Sequence, residues 1–263
     1  MKFIKDAPIQ YNYTLMAMLI MAFLSLPALF FVSLNWLWVT FFFYFVYCCL
    51  GLTIGYHRYF CHYSFKTYRV FDYIFAWAGI VSLQGNPLTW CAVHREHHKH
   101  ADHEGDPHNV REEGFRAFIE PFDYEFNLED MKKQKIFKDH MQRWLLRYQW
   151  HVLFGTLAVF AIIHPLMLIY AWALPVFLTL LIGKMGLVYF GHKPELGGYK
   201  NYNNLKDDSV NNAIIGILSW GDGWHNNHHA RPGNWYFGKR WWEIDIAGWV
   251  VWLIRTDEKE NRY

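Results

Sequence analysis

His94-Arg95-Glu96-His97-His98 is the stretch whose reading decides this chain. On a helix, His94, His97 and His98 stand at i, i+3 and i+4, so their rings share one face. His225-Asn226-Asn227-His228-His229 repeats the spacing, and His57-Arg58-Tyr59-Phe60-Cys61-His62 adds a further pair. Eight of the 15 histidines therefore sit in three short boxes. Imidazole is the commonest metal ligand and suits zinc, copper, iron and nickel. Eight are too many for one tetrahedral zinc; they suit two metals that each take four or more nitrogens. No H-E-x-x-H occurs, which removes the zinc-peptidase reading.

What separates the boxes is apolar. The chain is 53% hydrophobic and 20% aromatic, with 14 Trp, and no Asp, Glu, Lys or Arg occurs in 7–56, 73–93 or 148–183. A net charge of +2, with no clustered basic footprint, argues against a nucleic-acid partner. Cys48, Cys49, Cys61 and Cys91 show no disulfide-framework spacing and are expected as reduced packing residues. Residues 14–32 and 35–56 are each long enough to cross about 30 Å of hydrocarbon, and form a hairpin that delivers His57 to the membrane surface. Residues 149–170 and 172–192 form a second hairpin, ending at His192. The run 73–93 could also cross, but then His57 and His62 would face the opposite side from His94, His97 and His98. Gln84, Gly85, Asn86 and Pro87 in its interior suit a broken, half-embedded segment instead. Ile246–Ile254 is too short to span and is expected to lie amphipathically at the interface.

The expected fold is an all-α integral membrane protein, one domain over 1–263. Two transmembrane hairpins, four helices in all, carry a helical cap made of 57–147 and 193–263. Neither hairpin tip carries Lys or Arg, so the positive-inside rule places the cap, all three boxes and both termini in the cytosol. A metal transporter is disfavoured, because such a protein needs ionisable groups along its spans and the first hairpin has none.

These residues carry a family resemblance. HRYFCH (57–62), HREHH (94–98) and HNNHH (225–229) resemble the three histidine boxes of the membrane fatty acyl desaturases, of the stearoyl-CoA desaturase type. Gly51 to Gly55, Asp106-Pro107-His108-Asn109 and Gly221-Asp222-Gly223-Trp224 match as well, and the resemblance covers about 35–254. It implies four membrane helices under a cytosolic cap and two iron ions held by nine histidines: His57, His62, His94, His97, His98, His192, His225, His228 and His229. It also implies dioxygen as oxidant, and a cis double bond, at delta-9, placed in a saturated acyl-CoA or lipid-linked acyl chain. Electrons would come from a separate ferredoxin- or cytochrome b5-like carrier with its reductase, and the location would be a bacterial inner membrane. A histidine-box hydroxylase is the alternative enzyme. Two departures stand out. Val188 occupies the place of a family Asn that reaches one iron through water, and Ala92-Val93 replaces an Arg-Asp pair that helps hold CoA in the animal enzymes. The segment 84–90 is closer to the bacterial and acyl-lipid branch.

Asp106, Asn109 and Asp222 are candidates to orient ligand imidazoles. His100, His103 and His108 are expected to be solvated or to support box two. Counting back from His57 at 3.6 residues per turn puts Thr53, Leu50, Val46 and Phe42 or Phe43 on the metal-bearing face. Thr53, Phe42 and Trp90 are the expected substrate contacts, with the aromatics of 41–45 closing an acyl tunnel.

Overall fold

The computed structural model describes residues 10–11, 14–114, 117, 123–124 and 128–256. The expected side of the two termini falls on 1–9 and 257–263, outside the described residues, as does most of the cap between 115 and 127. The regular structure described is helical apart from two short antiparallel strands, β1 (Gln10–Tyr11) and β2 (Asp123–Tyr124), and three isolated bridges, with irregular connections over 101–109, 197–212 and 231–245.

The first apolar run forms α1 (Thr14–Ser25), tightened into a further turn over Leu26–Leu29 where Pro27 enters. At 1.5 and 2.0 Å per residue this gives about 26 Å, less than the 19-residue span expected. Ser33 then caps α2 (Leu34–Cys61), its hydroxyl accepting from the Trp36 amide at 3.4 Å. From Phe45 to Cys61 this helix is wound wider, with i→i+5 hydrogen bonds, and His62 N still donates to His57 O at 3.1 Å. Box one thus lies on the end of α2 itself, with His57 buried.

Two helices, α3 (Arg69–Val81) and α4 (Pro87–His100), replace a crossing of 73–93. The break falls where the sequence places Gln84 to Pro87. Leu83 and Gly85 take positive φ of 61° and 76°, and Asn86 caps α4 by accepting from Thr89 N at 3.0 Å. Tyr56 OH closes the turn by donating to Gly85 O at 2.7 Å. The break folds α4 back onto the end of α2, and His62 and His94 meet with their Nε2 atoms 3.1 Å apart. Close approach of α3 to α2 depends on small residues. A Cβ at Gly55 would lie 2.5 Å from the Phe75 Cβ, and one at Gly79 would lie 2.2 Å from the Tyr56 ring. In lipid such contact, and not water exclusion, holds helices together.

Short helices α5 (Val110–Glu113) and α6 (Leu128–Lys133) lead to α7 (His140–Ile163) and α8 (Leu168–His192). Asp139 caps α7, and Trp77 of α3 donates to Thr156 of α7 at 3.0 Å. The second hairpin was expected to turn near residue 171; it turns at 164–167. Pro175 lies inside α8, just after the wide-wound segment Leu168–Ala173. Tyr47 and Thr40 of α2 donate to the carbonyls of Ala171 at 2.8 Å and Tyr170 at 3.0 Å in that segment, whose ladder Pro175 cannot complete. Three helices, α2, α7 and α8, are long and apolar enough to cross a membrane, and α1 is a shorter apolar helix. After α8 come α9 (Ala213–Leu218), α10 (His225–Ala230) and α11 (Ile246–Ile254). In α11, Ala247, Gly248 and Val251 are buried while Trp249, Trp252 and Leu253 are exposed, the amphipathic pattern the sequence suggested.

Candidate metal centre

Four helix ends converge. The last turn of α2 brings His57 and, just beyond it, His62; α4 brings His94, His97 and His98. The end of α8 brings His192, and α10 brings His225, His228 and His229. Their ring nitrogens fall into two groups, each within 4.8 Å: His57, His62, His94, His98 and His228 in one, His97, His192, His225 and His229 in the other. The groups adjoin, with the His98 and His229 rings 4.5 Å apart.

Within each group Nε2 faces Nε2: His57 to His228 at 2.8 Å, His228 to His98 at 2.8 Å, His192 to His225 at 2.9 Å and His225 to His229 at 3.1 Å. Four rings have their other nitrogen fixed by a carboxylate. His57 Nδ1 donates to Asp222 at 2.9 Å, His97 to Asp106 at 2.9 Å, His192 to Asp102 at 2.8 Å and His229 to Asp207 at 3.1 Å. A proton held at Nδ1 leaves a bare lone pair on Nε2, aimed at its neighbours. Converging lone pairs repel unless a cation sits among them. Two nitrogens each about 2.1 Å from one ion, at right angles, are about 3.0 Å apart, so these separations fit metal ligation.

Electrostatics agrees. Burial, reinforced by neighbouring imidazoles, pushes His62, His94, His98, His225, His228 and His229 well below the usual histidine range and keeps them neutral. Burial would raise the Asp102, Asp106 and Asp222 carboxyls, but the imidazoles facing them, and Arg58 beside Asp222, hold all three below the ordinary carboxylate range.

Asp222 is also one wall of a buried cage. Arg58 Nη2 donates to Asp222 at 3.0 Å, and its Nη1 to Asp245 at 2.9 Å and to Trp235 O at 2.8 Å. The guanidinium lies 3.9 Å over the Phe237 ring. Gly221, at φ 129°, is required here, since a Cβ would lie 2.0 Å from Asp245 Oδ1.

All nine histidines named from the sequence fall in the two groups, and Asp106 and Asp222 stand where an orienting role needs them. Asn109 does not: it caps α5, accepting from Glu112 N at 3.1 Å, and donates to His103 O at 3.0 Å. Sequence reasoning missed Asp102 and Asp207. The pair Asp102 and Asp106, four apart after box two, was a usable signal; nothing local marks Asp207. His103 is taken up by Ala101 O at 2.7 Å, and neither His100 nor His103 joins a group. Trp90 stacks on His94, ring centres 4.7 Å apart, and meets His57 edge-on at 6.0 Å. Thr53 is buried and spends its hydroxyl on Ser219 O at 3.1 Å. Phe42 is 58% exposed, away from the face expected of it, because the wide winding beyond Phe45 breaks the 3.6-residue count back from His57.

Fold and site together define a class: a helical membrane protein with paired histidine groups able to hold metal ions. The fatty acid desaturase family model matches residues 35–252, and the chain belongs to that family. It is 32% identical over 238 residues to Delta-9 acyl-lipid desaturase 2 of Arabidopsis thaliana, covering 87% of this chain and 74% of the relative. Icosanoyl-CoA 5-desaturase of Limnanthes douglasii is 30% identical, covering 89% and 67%. Acyl-CoA 5-desaturase AL21 of Anemone leveillei is 32% identical, covering 88% and 72%.

Proposed function

We propose that this protein is a di-iron fatty acyl desaturase that introduces a cis double bond, at delta-9, into a saturated acyl chain carried by CoA or by a lipid. The observation that carries the proposal is the pair of histidine groups, five and four, with Nε2 atoms turned inward, in a chain of the desaturase family. The nine histidines would hold two iron ions, and iron there would supply the activation of dioxygen needed to attack an unactivated CH2–CH2 pair. Overall, R–CH2–CH2–R′ + O2 + 2 electrons + 2 protons gives the alkene and two waters, the electrons coming from a separate one-electron carrier.

The residues divide the remaining work. Asp222, Asp106, Asp102 and Asp207 fix four imidazoles as Nδ1–H tautomers and set the ring directions. Burial keeps His229 of these four and five more rings, His62, His94, His98, His225 and His228, neutral. Trp90, half-buried over His94 and beside His57, is placed to pack against an acyl chain entering the five-histidine side. The four-span topology, with α1 as the first span and the cap and both termini in the cytosol, completes the proposal; charge-free hairpin tips and the positive-inside rule support it.

Metal analysis and product chromatography on the purified protein, supplied with stearoyl-CoA or with 18:0-containing phospholipid, test it. Iron near two per chain with a new cis double bond is expected. Iron with a hydroxylated product identifies a hydroxylase, and bound zinc without product refutes the proposal.

A further inference from the structure

Each double bond consumes two electrons, so the proposed function requires a protein surface from which electrons can reach the histidine groups. One surface is joined to them by a covalent and hydrogen-bonded connection. The Phe237 ring packs on His228, centres 4.5 Å apart, and on His57 at 5.6 Å. Its carbonyl accepts from Asn227 of box three at 2.9 Å. Two residues later the chain is at the surface, with Lys239 and Arg240 exposed. Both backbone amides donate to one oxygen of buried Glu243, at 2.6 and 3.0 Å, and Asn227 donates to the same oxygen at 2.8 Å. The surface at 239–240 is therefore wired to box three through a single carboxylate.

That surface is cationic and built on aromatic rings. Lys239 Nζ stands 4.0 Å over Tyr202 and Arg231 lies 5.6 Å from the same ring, while Arg240 lies 4.7 Å over Tyr199. Arg231 and Lys239 take part in no ion pair among the described residues, and Arg240 only approaches Glu243, at 3.8 Å. The tyrosine segment is rigidly held, because Asn226 Oδ1 accepts from the Asn201 and Tyr202 amides, each at 2.9 Å. The neighbouring stretch Lys200 to Asp208 is polar, unlike the exposed apolar faces of α9 and α11, while Trp241 next to Arg240 is 95% exposed.

We infer that the rim of Arg231, Lys239 and Arg240 around Tyr199 and Tyr202 docks an acidic one-electron carrier protein, and that electrons enter the five-histidine group along Phe237–Lys239. The inference rests on the desaturase reading. A cationic rim attracts an acidic partner and raises its association rate by about 10–1,000-fold, in a salt-dependent way. Carrier side chains need not touch a ligand, since Phe237 already does.

The test uses the full-length protein and two acidic carriers, a plant-type ferredoxin and the soluble domain of a cytochrome b5, each with its reductase. Dithionite-reduced methyl viologen serves as a small reductant that needs no docking. With whichever carrier sustains wild-type turnover, Arg231→Glu and Lys239→Glu should each raise the carrier KM about tenfold or more at low ionic strength. Rising salt should erase the difference, and turnover with methyl viologen should be unchanged in both variants. An unchanged carrier KM overturns the inference, as does equal loss with both reductants. So does a wild type that turns over with methyl viologen and with neither carrier. Weakened binding to phosphatidylglycerol vesicles at an unchanged KM would assign the rim to lipid headgroups instead. A wild type that forms no double bond with any reductant overturns the proposed function and the docking inference with it, whereas failure of the docking alone shows as turnover with methyl viologen at an unchanged carrier KM.

Discussion

Replacing Asp222 by Asn leaves the side-chain shape intact and removes one charge from the point where His57 and Arg58 meet. The carboxylate accepts from two donors, His57 Nδ1 at 2.9 Å and Arg58 Nη2 at 3.0 Å, with side-chain exposure of 4%, 0% and 1% for His57, Arg58 and Asp222. An amide can face only one of these donors with its oxygen; its NH2 must then point at the other. Removing one partner of a buried pair costs about 3–5 kcal/mol. Asp245 still holds the guanidinium at 2.9 Å, so the lower end of that range applies. If the histidine loses its acceptor instead, the metal loses its oriented ligand, which costs about 10–100-fold in affinity or activity. Either way the expected loss is large.

Two comparison variants separate the effects. Asp208→Asn breaks only a half-exposed pair with Arg111 at 2.7 Å, and should cost about 0–1 kcal/mol. Asp106→Asn disturbs His97 with no arginine involved; the amide oxygen can still accept from the His108 or Asp102 amide, at 2.9 and 2.8 Å in the parent. Metal retention should therefore fall with a stability loss of about 1.5–3 kcal/mol per charge-assisted hydrogen bond lost. Thermal melts followed by tryptophan fluorescence in detergent, with iron per chain measured after a timed chelator challenge, read out both quantities. If Asp222→Asn tracks Asp208→Asn in melting and in iron retention, the carboxylate is not organising this site and the account of His57 is wrong.

Acid should act through histidine before carboxylate. Six imidazoles have folded pKa values below their unfolded value of about 6.5, so their stabilising contribution is complete above that pH and is lost as pH falls below it. Asp102, Asp106 and Asp222 keep theirs until pH falls below about 4. Metal-stripped protein should therefore lose stability, and loaded protein its iron, between about pH 6.5 and 5; a flat response from pH 7.5 to 5 contradicts this. Cysteine probes at Lys66 and Lys99 should label from one side of the membrane and a probe at Ile162, 83% exposed near the hairpin tip, from the other; a split between the first two would undo the returning α3–α4 pair. Phe42→Ala should leave the accepted acyl length unchanged, because the ring faces outward; a longer product chain would restore it to the tunnel.

The sequence made the chemistry legible because metal ligation is local. An i, i+3, i+4 pattern puts three rings on one helix face wherever that helix goes, and charge-free runs of twenty residues can be recognised by counting. The break in 73–93 was also legible, since Gln84 to Pro87 stand between α3 and α4 and His62 and His94 meet. What failed depended on helix pitch and on distant partners. The tunnel face assumed 3.6 residues per turn, and the seventeen residues from Phe45 to Cys61 are wound otherwise. The hairpin tip was set by Pro165 alone, because a wide turn before Pro175 allows the helix to pass through it. Asp207 meets His229, 22 residues away, by a path no spacing rule encodes.

Division of the nine histidines gives the departure at Val188 its meaning. Boxes one and two together with His228 fill the five-nitrogen group, while His97 is the one box-two ring turned to the other side, beside His192, His225 and His229. The group with only four nitrogens is thus the one on the end of α8, the helix that carries Val188 four residues before His192. In the resembling enzymes an Asn at that position reaches a metal through water, so both observations fall on the same centre. Val188 has no side-chain donor or acceptor with which to do the same. Three of that group's own supports, Asp102, Asp106 and Asp207, are carboxylates on Nδ1, against one, Asp222, for the larger group. Carboxylates at Nδ1 raise the basicity of the ligating nitrogen. Were both groups loaded with metal, fewer but more basic ligands on one side, and more numerous but less supported ligands on the other, would make the two centres chemically unequal before any substrate arrives.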